Sequence, residues 1–233
     1  MKISPRILAL TALTLGAITA ASAAAETYQI DPAHSSVGFG VRHVFTKVPG
    51  SFTKFKGTIV LDRDHLEQNS VEAVIDVGSV TTANEKRDNH LKSPDFFDAA
   101  KFGTIAFKSK TWTKTGDNAY DVTGDLTIKD VTKQVVLKVK LLGVGPGMRP
   151  GSQVSGWEGA TTLNRRDFGV NGPSMLGKAV GDEVEVAITI EARIEEVRRL
   201  LRGAYKHGPS LSLRTADQGR PFFFAAALHT LAP

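Results

Sequence analysis

The chain has 233 residues, no cysteine and a formal net charge of +5. Without cysteine there is no disulfide framework, no thiolate metal site and no thiol nucleophile, so stability rests on apolar burial. The positive charge sits at the two ends: Lys2 and Arg6 bring +2 and residues 196–233 bring +4, which leaves −1 on the body and none of the basic footprint of a nucleic-acid binder.

Residues 1–25 read as an export signal. Lys2 and Arg6 form a short basic region, Ile7 to Ile18 is an apolar stretch too short to span a bilayer comfortably, and Ala23-Ala24-Ala25 is a small-x-small cleavage site. Cleavage after Ala25 starts the mature chain at Glu26 and places it in the periplasm. No second stretch reaches about 18 apolar residues.

From there the chain alternates apolar and polar residues with period two. Val184, Val186, Ile188, Ile190, Ala192 and Ile194 interleave with Glu183, Glu185, Thr189, Glu191 and Arg193. Strands turn successive side chains to opposite faces, so such a run has one dry and one wet face, as antiparallel sheets do. Eight strands are predicted, near 35–43, 52–62, 70–78, 103–112, 119–129, 133–142, 154–163 and 183–194. Several reach about ten residues, longer than usual, which favours a tall barrel over a small sandwich. The inward positions include Phe39 and Val41, Ile75, Phe107, Tyr120 and Val122, Leu137 and Trp157.

Three segments break this pattern. Thr82-Ala83-Asn84-Glu85 reads as a capping box opening a short helix from Lys86 to about Leu91. Ser93-Pro94 then opens a turn through Phe96 and Phe97, and this segment either caps a barrel end or plugs it as ordinary core. Gly143 to Gly151 and Asn164 to Asp182 read as long loops, candidates for a functional rim or for variable surface. After Glu195 alternation stops, and residues 196–233 read as an appended, largely disordered tail.

Catalytic signatures are scarce. No pair of histidines has metalloprotease spacing with a glutamate, and no G-x-S-x-G or phosphate-binding glycine motif is present. His34 and His43 flank one strand, but no metal or other cofactor is expected. Two charged clusters lie in connections: Arg87-Asp88-Asn89-His90-Leu91 and Asn164-Arg165-Arg166-Asp167-Phe168-Gly169. They form either an Arg–carboxylate lock between lid and loop or a polar mouth for an anionic or amide headgroup, to which Arg offers bidentate donors.

An ordered set of motifs over residues 26–195 resembles the YceI family of exported lipid-binding proteins. It comprises Asp31-Pro32-Ala33-His34-Ser35, Phe39, His43, Gly50-Ser51-Phe52, Gly57, the run from Arg87 to Asp98, Phe107, Gly124-Asp125-Leu126-Thr127-Ile128 and Asn164 to Gly169. The resemblance implies an all-β, eight-stranded antiparallel lipocalin-like barrel with a short helical lid, holding a long apolar ligand such as a polyisoprenoid or fatty amide. On that reading Phe39, Val41, Ile75, Phe97, Phe107, Tyr120, Val122, Leu137 and Trp157 line a tunnel. Arg87, His90 and Asn164 or Arg165 then stand near the polar group. The partners expected are a long-chain lipid, a transient membrane contact and a second copy in a homodimer, with no nucleic acid. An enzyme acting on a lipid headgroup, a ligand-free stress protein and an accessory of a membrane redox protein remain as rivals.

Overall fold

The structure, a computed structural model, describes residues 25–177 and 179–194. The predicted signal peptide and C-terminal tail lie outside the described residues. The strands are β1 (Glu26–Ile30), β2 (Ser36–His43), β3 (Thr46–Phe52), β4 (Phe55–Leu61), β5 (Ser70–Asp76), β6 (Val80–Thr81), β7 (Thr104–Gly116), β8 (Ala119–Ile128), β9 (Val131–Pro146), β10 (Gln153–Asn164) and β11 (Val180–Ile194). Among the described residues a single α-helix, α1 (Glu85–Lys92), joins β6 towards β7.

These pieces make an all-β, eight-stranded antiparallel closed barrel, because three of its walls are bent strands in two segments. β1 and β2 follow each other along one edge of β11; β4 pairs with β1 while β3 pairs with β2; β5 pairs with β4 while β6 pairs with β3. The ring continues through β7, β8, β9 and β10 to β11, and β11 closes it on β1 at Gln29↔Arg193 and Ile30↔Ala192. The three bends fall at one level, and hydroxyl groups replace lost ladder bonds there. Ser35 Oγ accepts from the Glu191 N–H at 3.0 Å, and Ser79 Oγ accepts from the Lys54 N–H at 3.0 Å while donating to the Asp76 carbonyl at 2.6 Å.

The eight predicted strands thus exist, with corrections at their ends. The sequence reading missed β1, started the second wall at 52 rather than 46, and took Gly143 to Pro146 for loop where β9 continues. α1 begins at Glu85 and its cap is Asn84, whose Oδ1 accepts from Arg87 N–H, not Thr82. Thr82 is used instead to hold the Asp88 carboxylate.

Alternation becomes burial along the barrel. In β8, Tyr120, Val122, Gly124, Leu126 and Ile128 are buried, and the residues alternating with them are half-buried. Each large apolar side chain so buried contributes roughly 1.5–3 kcal/mol. The interior divides into two packed layers. The lower holds Tyr28, Ile59, Leu61, Trp112, Tyr120, Val122, Leu141, Trp157, Ile190 and Ala192. The upper holds Phe52, Val77, Val80, Phe96, Ile105, Leu126, Ile128, Phe168 and Val170.

Candidate functional site

A cavity of about 500 Å³ runs between those two layers. Its walls come from inward positions of nearly every strand, among them Val37, Phe39, Val41, Ile75, Phe107, Leu137, Val186 and Ile188. Trp112 and Trp157 form its floor, with ring centroids 5.9 Å apart in an edge-on contact. Tyr120 meets Trp112 at 5.7 Å from below. The Trp157 Nε1–H donates to Ser155 Oγ at 3.0 Å, which lets a fully buried serine satisfy the one polar atom of the ring.

Glycines keep this space open. Phe39 and Gly50 face each other across β2 and β3, and a Cβ on Gly50 would lie 2.3 Å from the Phe39 ring. Phe107 crosses Gly124 in the same way, at 2.6 Å. The rings therefore lie along the wall over a neighbour without a side chain, rather than standing across the bore.

The upper end is closed on one side only by the 82–103 segment. Among the described residues β6 pairs with β3 and has no strand on its other side, because β7 starts at the level of Asp76. α1 and the turn carrying Phe96 and Phe97 fill that gap, with Phe97 edge-on to Phe52 at 6.0 Å. The segment is held by side chains. Asp88 accepts from Thr81 Oγ1 at 3.1 Å, from Thr82 N–H at 2.8 Å and from the Thr82 hydroxyl. Burial pushes the Asp88 carboxyl up, but these bonds and the charge of Lys92 outweigh it and hold the group below the ordinary carboxylate range. The Gly172 N–H donates to the Asp95 carbonyl at 2.9 Å, tying the segment to the β10–β11 connection.

The mouth is lined by Arg42, His43, Thr82, Arg87, His90 and Val180. Arg87 donates to Thr82 Oγ1 at 2.7 Å and to the Thr82 carbonyl at 2.9 Å, and His90 pairs with Asp95 at 2.8 Å. Arg165 also borders the cavity, yet its five N–H groups go to the carbonyls of Gly181, Val170, Asn171 and Val180 and to Asp182 Oδ1. Burial draws its guanidinium down from its ordinary range and Asp182 opposes that. Arg165 is thus a lock within the β10–β11 connection, and the expected lock between lid and loop is the Gly172–Asp95 backbone bond instead.

Of the residues expected at a ligand site, Phe39, Val41, Ile75, Arg87, His90, Phe97, Phe107, Leu137, Trp157 and Arg165 border the cavity. Tyr120 and Val122 point inward but are buried in the packed lower layer beside the tryptophans and do not border the cavity. Asn164 is exposed and caps the 165–168 turn, accepting from Arg166 N–H at 3.0 Å. Sequence reasoning passed over Leu126, Ile128, Val135, Val184, Val186, Ile188 and Phe168 as lining; the same alternation carries all but Phe168.

Among the described residues, Asp31, His34 and Glu191 bring three potential ligand atoms together at the outer bend. The Arg193 guanidinium sits on the same Asp31 oxygen as His34, so a cation already occupies that position.

Residues 28–192 match the family model described as a YceI-like domain. The chain belongs to the YceI family. A UPF0312 protein of Ectopseudomonas mendocina is 37% identical over 187 residues, covering 78% of this chain and 96% of that one. BcnA of Burkholderia cenocepacia superposes with a TM-score of 0.62 at 26% identity, over 70% of this chain and 98% of that one. A polyisoprenoid-binding domain from Saccharophagus degradans shares the fold, with a TM-score of 0.55 at 13% identity over 71% of this chain and 97% of that one. The YceI barrel described here therefore has solved counterparts along nearly their whole length.

Proposed function

We propose that this YceI protein binds a long-chain apolar lipid, of the polyisoprenoid or fatty amide type, inside its barrel and carries it through the periplasm. The observation that carries this reading is the cavity of about 500 Å³, walled by apolar side chains and opening at a polar rim; it falls within the size range of ligand pockets. The fold shared with a polyisoprenoid-binding domain supports the same ligand class.

Energetics favour carriage. Burying a tail of about 20 carbons from water is worth roughly 16 kcal/mol at about 0.8 per CH₂. A tail taken from a membrane was already dry, so most of that term cancels and exchange stays nearly balanced. Catalysis on the headgroup is the less favoured reading. Asp88 is held by Thr81 and Thr82, Arg165 by carbonyls and Asp182, and His90 by Asp95.

Mass spectrometry of organic extracts from purified protein tests the proposal. A long-chain species in stoichiometric amount, or saturable uptake of added polyprenol, is the expected result. Extracts free of such species together with no uptake would leave a filled stress-protein barrel as the better reading. Chemical turnover of the bound lipid would favour the enzyme.

A further inference from the structure

The mouth carries an exposed apolar tip. The β2–β3 hairpin turns in two residues, Val44 and Phe45, between the paired His43 and Thr46. Phe45 is 92% exposed and Val44 48%. The Val44 N–H donates to the Ala179 carbonyl at 2.8 Å, which sets the tip against the connection that presents Met175, 87% exposed. The remaining strongly exposed apolar side chains near a barrel end, Leu142 and Met148, belong to the closed end.

The tip is held there at a conformational cost. Val44 has φ 52°, at the first position of a two-residue hairpin turn where glycine, asparagine or aspartate is preferred. A β-branched residue in that region is an outlier. Turn chemistry alone does not account for a valine followed by an exposed phenylalanine, and strain of this kind gathers at functional positions.

Two arginines stand at the mouth beside the tip. Arg42 and Arg87 at the mouth have no carboxylate ion-pair partner among the described residues. Of the nearby carboxylates, Glu185 pairs with Lys47, Asp95 with His90, and Asp182 with both Arg165 and Arg166, while Glu183 on β11 is exposed and makes no ion pair among the described residues. Three exposed apolar side chains are far too few for a stable protein interface, which buries about 1,600 Å². A few apolar groups with flanking cations do suit shallow, reversible contact with an anionic bilayer.

We infer that Val44, Phe45 and Met175 form a membrane-contacting tip that seats the cavity mouth on an anionic phospholipid surface during lipid exchange. This rests on the lipid-carrying reading for its purpose, but the contact is measurable without it. The test compares the mature protein with a Val44→Gly/Phe45→Asn variant, a pair the turn itself prefers, so that folding is kept or improved. Binding is read by co-sedimentation with phosphatidylcholine vesicles containing about a quarter phosphatidylglycerol, and with pure phosphatidylcholine. The wild type should bind the anionic vesicles more strongly, and the variant should lose roughly tenfold or more, as expected for withdrawing a buried aromatic side chain. Uptake of polyprenol from vesicles should slow in the variant, while uptake from dilute detergent stays unchanged.

Equal vesicle binding by both proteins, or none by either, overturns the inference. A wild-type dimer that the variant abolishes, with no vesicle binding, overturns it in favour of a second copy on the tip. Failure of polyprenol uptake by both routes instead defeats the lipid-carrying proposal, with vesicle binding read separately.

Discussion

The Phe39 ring lies directly over Gly50, so that a single methyl group at position 50 would collide first with that ring. Gly50→Ala should therefore swing a flexible ring off the wall and into the cavity. We expect reduced uptake of a fluorescent isoprenoid with little change in thermal midpoint. Gly124→Ala supplies the contrast, because its Cβ would also lie 2.5 Å from the Lys108 carbonyl, which cannot step aside. That variant should lose about 1–3 kcal/mol in denaturant melts. Equal stability losses for the two would show that the Phe39 ring is fixed in place.

Val122 and Val186 separate packed interior from open interior. Val122 is fully buried in the lower layer, whereas Val186 stands on the cavity wall. Val122→Phe should cost about 1–3 kcal/mol through overpacking. Val186→Phe should be close to neutral and should diminish ligand loading. Chemical denaturation of both variants, beside mass spectrometry of their extracts, checks the pair.

Ser155→Ala should leave the Trp157 Nε1–H buried with no acceptor. The expected loss is about 1–3 kcal/mol of stability, with ligand uptake retained because Ser155 does not border the cavity. A neutral result on stability would mean that the indole finds another acceptor.

Asp88 makes the lid segment acid-labile. Its folded pKa lies below the usual carboxylate value of about 3.9. Its contribution is therefore complete above that unfolded value and is lost as pH falls through the lower folded one. Asp62, at the closed end, is shifted in the same direction: burial raises it, and hydrogen bonds from the His65 and Asp64 N–H groups, with His65 itself, overcome that. A whole-protein melt would mix the two. Hydrogen exchange resolved to residues 85–92 should show the helix losing protection below about pH 4, and Asp88→Asn should lose it at neutral pH as well. An unchanged α1 in that variant would assign the anchoring to Arg87 and Thr82 alone.

Period-two alternation made the walls legible, since inward and outward positions differ in polarity along most of the long strands, although β9 turns Val136 and Leu142 outward. It did not show depth. Tyr120, Val122 and Phe107 share one pattern, but only the register and the tryptophan floor decide which of them meets open space. β1 escaped notice because Glu26-Thr27-Tyr28-Gln29-Ile30 is short and largely polar. β3, which contains Pro49 and Gly50, is not among the predicted strands, the second of which starts at 52. Proline is tolerated there because β6 reaches only Ser51 and Phe52, leaving that edge of Pro49 unpaired. The role of Asn164 was hidden for another reason: the same side chain that could bind an amide also caps a turn, and only coordinates choose between them.

The gap between β6 and β7 gives the barrel compliance. Around the rest of the circumference, girth is fixed by continuous ladders, and widening one means breaking backbone hydrogen bonds in series. In the gap, the wall is a helix and a turn held by Asp88 and Arg87, by Phe96 and Phe97 packed on the upper layer, and by single backbone bonds to Val77 and Gly172. We expect a bulkier guest to act on that panel before the ring beneath it, which is closed through β11 and β1. The molecule thereby separates two demands that a uniform cylinder would set against each other, durability of the vessel and tolerance in what it holds.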